Sequence, residues 1–147
     1  MKTLYKILKE CSEGKTPAER VSLLQQNGSG AVQVILKHAF DPAIKFLLPD
    51  GPAPFKPAEV LDQEGRLYSE LRRLYLFVEG GNPNLTTLKR EMLFIQLLES
   101  IDKEDAELLV AVKDKKLPFK SINEKIVRQA FPNLLSEGSD EQNTKKK

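Results

Sequence analysis

From Leu4 the apolar residues Ile7, Leu8 and Cys11 recur at helical spacing, with Lys6, Lys9 and Glu10 between them. The pattern predicts a short first helix that ends near Gly14. Thr16-Pro17-Ala18-Glu19 then supplies a capping hydroxyl, a first-turn proline and a glutamate at the third helical position, a start signal for a helix through Val21 and Leu24 that stops near Asn27-Gly28. Ser29 can cap a third helix, whose residues Val32, Val34, Ile35, Leu36 and Phe40 are dense enough for burial. At Asp41-Pro42 that helix stops, and the same pair is expected to begin a shorter one through Ile44, Phe46 and Leu47.

Four prolines and one glycine between Leu48 and Pro57 predict an extended connection to a second helical group. This group opens after Asp62, with Leu67, Leu71, Leu74, Tyr75 and Val78 as its apolar stripe and Arg66, Arg72 and Arg73 largely outside it. Gly80-Gly81-Asn82-Pro83-Asn84 ends it. A helix from Thr86 or Thr87 to about Ser100 is expected to be buried through Leu88, Met92, Ile95 and Leu98, and Asp102 can cap the next, which holds Ala106, Leu109, Val110 and Val112. After Leu117-Pro118, Ser121 is expected to cap a last helix through Ile122, Ile126, Val127 and Ala130, closed by Phe131-Pro132. The residues from Ser136 to Lys147 include no apolar member, which predicts a disordered charged tail. The expected fold is therefore all-α, a compact bundle of about six to eight short helices over residues 1–135 with a tail over 136–147.

Composition narrows the chemistry. With 147 residues, 40% of them hydrophobic, the chain can bury one core. Its 23 basic and 21 acidic residues leave a net charge of +2, so any case for a charged partner rests on where the charges lie. The opening segment alternates apolar residues with Lys and Glu, without the apolar run of a signal peptide or membrane span, so the cytoplasm is the expected location. One Cys and one His cannot supply a conventional zinc site, and the carboxylates show no ligand spacing, so no metal or cofactor is expected. Gly28-Ser29-Gly30 lacks the rest of a phosphate-loop pattern. Cys11 and His38 are expected to be structural, and no catalytic constellation emerges.

The most informative stretch runs from Val112 to Arg128. Lys113, Lys115, Lys116, Lys120, Lys125 and Arg128 outnumber Asp114 and Glu124, which places positive charge around a helix end, a turn and a new helix start. Free N–H groups near Ser121 and Asn123 can receive a phosphate oxygen, and the lysines can add salt-dependent attraction without reading a base. The same residues have an ordinary explanation in which lysines favour the end of one helix, Ser121 caps the next, and the charges face solvent. Phe119 is expected to anchor the turn in the core.

Over residues 3–135 the chain resembles the helical N-terminal DNA-binding domain of ATP-dependent DNA ligases, especially the compact domain of T-even phage ligases. The likeness lies in Leu4-Tyr5-Lys6-Ile7-Leu8-Lys9-Glu10 before the capped helix at Thr16, and in Val34-Ile35-Leu36-Lys37-His38-Ala39-Phe40-Asp41-Pro42. It continues in Leu108 to Asp114 followed by Asn123 to Leu135 with its aromatic-Pro-x-Leu ending. The resemblance implies contact with the backbone of duplex DNA, with Lys113 and the start of the helix at Ser121 on phosphates and Lys115, Lys116 and Lys120 on a longer, more basic turn. The glycine-containing approach usual in that turn is replaced by Leu117-Pro118-Phe119. Lys113-Asp114-Lys115 is not the Lys-x-Asp-Gly of the nucleotidyltransferase domain, so a complete chain of this length is not expected to join nicks. The expectation is a non-enzymatic, non-specific double-stranded DNA-binding protein, an accessory factor in phage DNA replication or repair that works beside a replication or repair protein. The alternative is a helical protein–protein adaptor or a structural protein.

Overall fold

Thr3, Thr16, Ser29, Thr86, Asp102 and Asn123 each lend a side-chain oxygen to a backbone N–H in the first turn of a helix. These caps satisfy donors that a helix start otherwise leaves without partners. In the computed structural model, which describes residues 3–49, 51, 55 and 66–136, they open six of the seven α-helices found among those residues. The helices are α1 (Leu4–Ser12), α2 (Pro17–Gln26), α3 (Gly30–Phe40), α4 (Arg66–Glu70), α5 (Thr87–Ser100), α6 (Lys103–Lys113) and α7 (Glu124–Ala130), with a 3-10 helix, Leu71–Phe77, following α4. The fold is an all-α bundle. In it α2 lies against α7, α3 against α6, α1 against α2, α3 and α6, and α5 against α6 and the 3-10 helix.

One core joins the helices, through Leu4, Leu8, Cys11, Leu24, Ile35, Leu36, Leu67, Leu74, Leu98, Leu108, Val112 and Val127 among others. Burying a side chain of this kind contributes about 1.5–3 kcal/mol relative to leaving it in water. Cys11 is part of that core, where burial pushes its thiol up, aided by the nearby Glu10 charge. The expected proline-rich connection beyond Pro49 and the opening of the second group at Asp62 fall mostly outside the described residues, as does the tail from residue 137 on. Ser136, assigned to the tail, is instead fixed: its N–H and hydroxyl both donate to Asp41 Oδ2, at 3.2 and 3.1 Å.

Four expectations are corrected. The helix expected after Asp41-Pro42 does not form: Asp41 Oδ1 accepts the Ala43 N–H at 2.8 Å as a helix cap would, but after one turn closed by the Ile44 N–H on Asp41 O the backbone groups of Lys45 and Leu47 bond to Glu79 and Phe77 instead of to a next helical turn. The chain then extends, and Phe46 pairs antiparallel with Val78. In the second group Leu67, Leu71 and Leu74 are buried as expected, but Tyr75 is 53% exposed. The helix tightens to three residues per turn at Leu71, so Leu71, Leu74 and Phe77 share the inner face and Tyr75 is carried out of it. Gly80, at φ +84°, ends the segment, and a side chain on Gly81 would collide with the Tyr75 carbonyl.

The third correction concerns α5. Leu88 and Met92 are 71% and 46% exposed, while Arg90, Phe94, Leu97 and Leu98 face inward. Apolar residues lie on more than one side of this helix, so periodicity alone does not select the buried face. The choice is made by Phe94, which meets Phe77 edge-on at 5.2 Å between ring centres, and by Arg90, whose guanidinium donates to the carbonyls of Leu76 and Leu85. The fourth is the last cap. Asn123, not Ser121, opens α7 by accepting the Ile126 N–H at 2.9 Å, and the Ser121 hydroxyl donates to Ser12 O at 2.8 Å.

Candidate nucleic-acid interface

The connection between α6 and α7 is a turn held by hydrogen bonds and packing. The Lys115 and Lys116 N–H groups donate to the carbonyls of Val112 and Ala111, closing the end of α6. Phe119 is buried and meets Tyr5 of α1 edge-on at 5.1 Å, as expected for an anchor. Ile122 is buried beside it, and Ser121 ties the turn to the end of α1.

This frame divides the eight candidate residues. Lys113 is directed inward, 5% exposed, and its amino group donates to the carbonyls of Pro49 (2.7 Å) and Gly51 (2.9 Å) and to Asp114 Oδ1 (2.7 Å). An ammonium taken from water is tolerated only when its donors are met, and here three acceptors meet them. Lys113 is therefore corrected from a phosphate contact to an internal clamp on the segment after α3. Lys115 also points back onto the protein. Its backbone takes the left-handed conformation, φ 58°, and its amino group donates to the carbonyls of His38 (2.8 Å) and Asp41 (3.0 Å) at the end of α3, 5.9 Å from the centre of the Phe46 ring. Burial lowers its pKa against the opposing pull of the Asp41 carboxylate.

Arg128 pairs with Glu124 at 2.8 Å and donates to Ser136 O at 2.9 Å. Asn123 uses its side-chain oxygen as the cap of α7, and Glu124 stands in the first turn of that helix. The expected phosphate seat at the helix start is thus occupied at Asn123, and Ser121 is spent on α1. Lys116, Lys120 and Lys125 remain exposed, and no ion pair to a described residue engages them. The structure brings the turn together as expected but leaves these three lysines, of the eight residues, with amino groups directed to solvent.

Sequence reasoning missed the neighbouring polar cluster around Asp41. This carboxylate is 1% exposed and holds Lys37 at 3.2 Å, the Ala43 N–H and Ser136, while Lys37 also donates to Leu134 O. Burial by itself raises the Asp41 pKa, but the hydrogen bonds from Ala43, Lys37 and Ser136 outweigh it and bring it below the ordinary value. The Asp-Pro pair was the available signal, and it marks a side-chain turn as readily as a helix start. His38 lies nearby with Nδ1 2.8 Å from Val34 O, and burial lowers its pKa.

A cleft of about 510 Å³ is lined by the end of α3 and the segment after it together with Lys113, Asp114, Lys115 and Glu124. Among the described residues no group of three or more His, Cys, Asp or Glu side chains could hold a metal ion. No helix among them is long and apolar enough to cross a membrane. A comparison with curated proteins gives no match. A family model does match residues 7–118, from α1 to the turn after α6, and stops short of Lys120 and Lys125; on that match the chain belongs to a family of unknown function (DUF6433).

Proposed function

We propose that this protein binds double-stranded DNA without reading its sequence, through contacts of Lys116, Lys120 and Lys125 with phosphate oxygens, as an accessory factor in DNA replication or repair. The observation that carries the reading is the division just described. Lys116 and Lys120 in the connection and Lys125 in the first turn of α7 stay exposed and unpaired among the described residues, beside a turn anchored by Phe119, Ser121 and Ile122. A pinned turn loses less freedom on binding than a loose one, so its lysines present a prepared, if small, electrostatic surface. The resemblance of residues 3–135 to the helical DNA-binding domain of ATP-dependent ligases points the same way.

The test is a salt series on unrelated duplexes with the full-length protein. Each neutralised phosphate contributes a log–log slope of about −0.9, so three contacts give roughly −2.7. Replacing Lys116, Lys120 and Lys125 together by Glu should remove most of the affinity and most of that slope. Binding that ignores salt, or survives the triple replacement, rejects the reading. A protein-adaptor role is favoured by a different observation, the exposed Leu88 and Met92 one turn apart on α5. Recovery of a specific protein after nuclease treatment, lost on Leu88→Glu, together with no direct duplex binding, would select the adaptor instead.

A further inference from the structure

The segment after α3 holds an unused hydrogen-bonding edge. The Leu47 N–H donates to Phe77 O and the Glu79 N–H to Lys45 O, both at 2.8 Å. These two bonds flank the Phe46–Val78 bridge, which makes it the non-hydrogen-bonded kind of antiparallel pair. The N–H and C=O of Phe46 therefore point away from Val78, and among the described residues neither has a hydrogen-bond partner, nor does the Ile44 C=O. Such an edge is a template for a further strand.

Side chains alternate along the segment. Phe46 faces inward beside the His38 ring (6.0 Å) and the Lys115 amino group, while Lys45 is exposed and Leu47 is 38% exposed. Ile44, Lys45 and Phe46 line the 510 Å³ cleft. The other charges on its walls are already matched: Lys113 with Asp114, Glu124 with Arg128, Asp41 with Lys37, and Lys115 with the carbonyls of His38 and Asp41. Lys45 is the charge on this wall left without a partner among the described residues.

We propose that the edge of Ile44–Phe46 receives an extended peptide from another protein, added antiparallel as a strand, with a carboxylate set beside Lys45 and an apolar side chain beside Leu47. The backbone of the incoming strand would satisfy Phe46 and Ile44, and its acidic residue would answer the one unmatched charge of the cleft. A second copy of this chain fits less well, because two-fold pairing about Phe46 sets Lys45 diagonally across from its own copy. The inference does not depend on DNA binding, since Lys45 and Phe46 are not among the proposed phosphate contacts.

The test uses the full chain and two capped synthetic heptapeptides that alternate valine and threonine, one with glutamate and one with lysine at the centre. Binding is followed by NMR titration and by amide exchange at Phe46. The glutamate peptide should bind and slow exchange of the Phe46 amide, and it should be preferred over the lysine peptide by about fivefold, the size of one cross-strand charge pair. Lys45→Glu, an exposed change, should reverse the preference. Three results would overturn the proposal: an unprotected Phe46 amide at saturation, equal binding of the two peptides, or undiminished binding when the peptide backbone is N-methylated. Concentration-dependent dimers that protect Phe46 without any peptide would also overturn it, by assigning the edge to a second copy.

Discussion

Lys113 and Lys116 stand three residues apart at the end of one helix, and their amino groups have opposite fates. The upstream part of the connection, Lys113 and Lys115, is turned onto the protein and tethers the segment after α3 through carbonyl oxygens of Pro49, Gly51, His38 and Asp41. The downstream part, Lys116, Lys120 and Lys125, is turned to solvent. A run of basic residues is thus a sum of two populations, one that holds the fold and one available to a partner. Only the second belongs in an argument about electrostatic recognition.

The comparison breaks most readily at Lys113. Replacing it by Met should destabilise the fold by about 3 kcal/mol in chemical denaturation, because two carbonyls lose their donor and Asp114 loses its ion pair inside the protein. Duplex affinity of the folded fraction should not change. A neutral Lys113→Met, or one that weakens DNA binding at full stability, would erase the distinction between the two populations. Asp41→Asn should cost about 2 kcal/mol through the neighbouring cluster, since the amide cannot match both Lys37 and Ser136. The folded pKa of Asp41 lies below its ordinary 3.8, so its contribution is complete above that value and lost as pH falls through the folded pKa. Acid denaturation should accordingly lose part of its steepness below pH 3.8 in the Asn variant.

Lys115 sharpens the comparison, because its side chain stabilises while its backbone strains. Lys115→Gly and Lys115→Met both lose the bonds to α3, but only Gly accepts φ 58° without penalty. The Gly variant should be about 1 kcal/mol more stable than the Met variant in parallel denaturation curves. His38, whose carbonyl Lys115 holds, gives a smaller and pH-dependent effect. Burial depresses its folded pKa, so as pH falls through 6.5 the unfolded chain takes up the proton first and stability declines until the folded value is passed. The chain has one histidine, so His38→Gln should remove that decline, and the ring proton titration should show a midpoint below 6.5. The smallest effect on stability is expected downstream, where changing Lys116, Lys120 and Lys125 to Gln should leave the melting temperature essentially unmoved.

Several features are legible in the sequence alone. The caps at Thr16, Ser29 and Asp102 and the breaks at Gly14, Asn27-Gly28 and Gly80-Gly81 follow from local chemistry, because a capping oxygen or a glycine acts on backbone groups within a few residues. The inner face of α5 was not legible, since Leu88 and Met92 satisfy helical spacing as well as Phe94 and Leu98 do. Ser121 was read as a cap because nothing local distinguishes a hydroxyl that reaches forward along its own helix from one that reaches Ser12 in another.

The sequence by itself determined that this chain makes short capped helices, ends them where it does, and concentrates basic charge between α6 and α7. Tertiary structure alone decided which of those charges are spent, which apolar stripe is buried, and that Asp41 forms a clasp instead of starting a helix. The physical reason is range. Caps and turns are settled by neighbours along the chain, whereas the carbonyls that hold Lys113 and Lys115, and the Ser136 groups on Asp41, lie between 62 and 95 residues away from them and meet them only once the helices have packed.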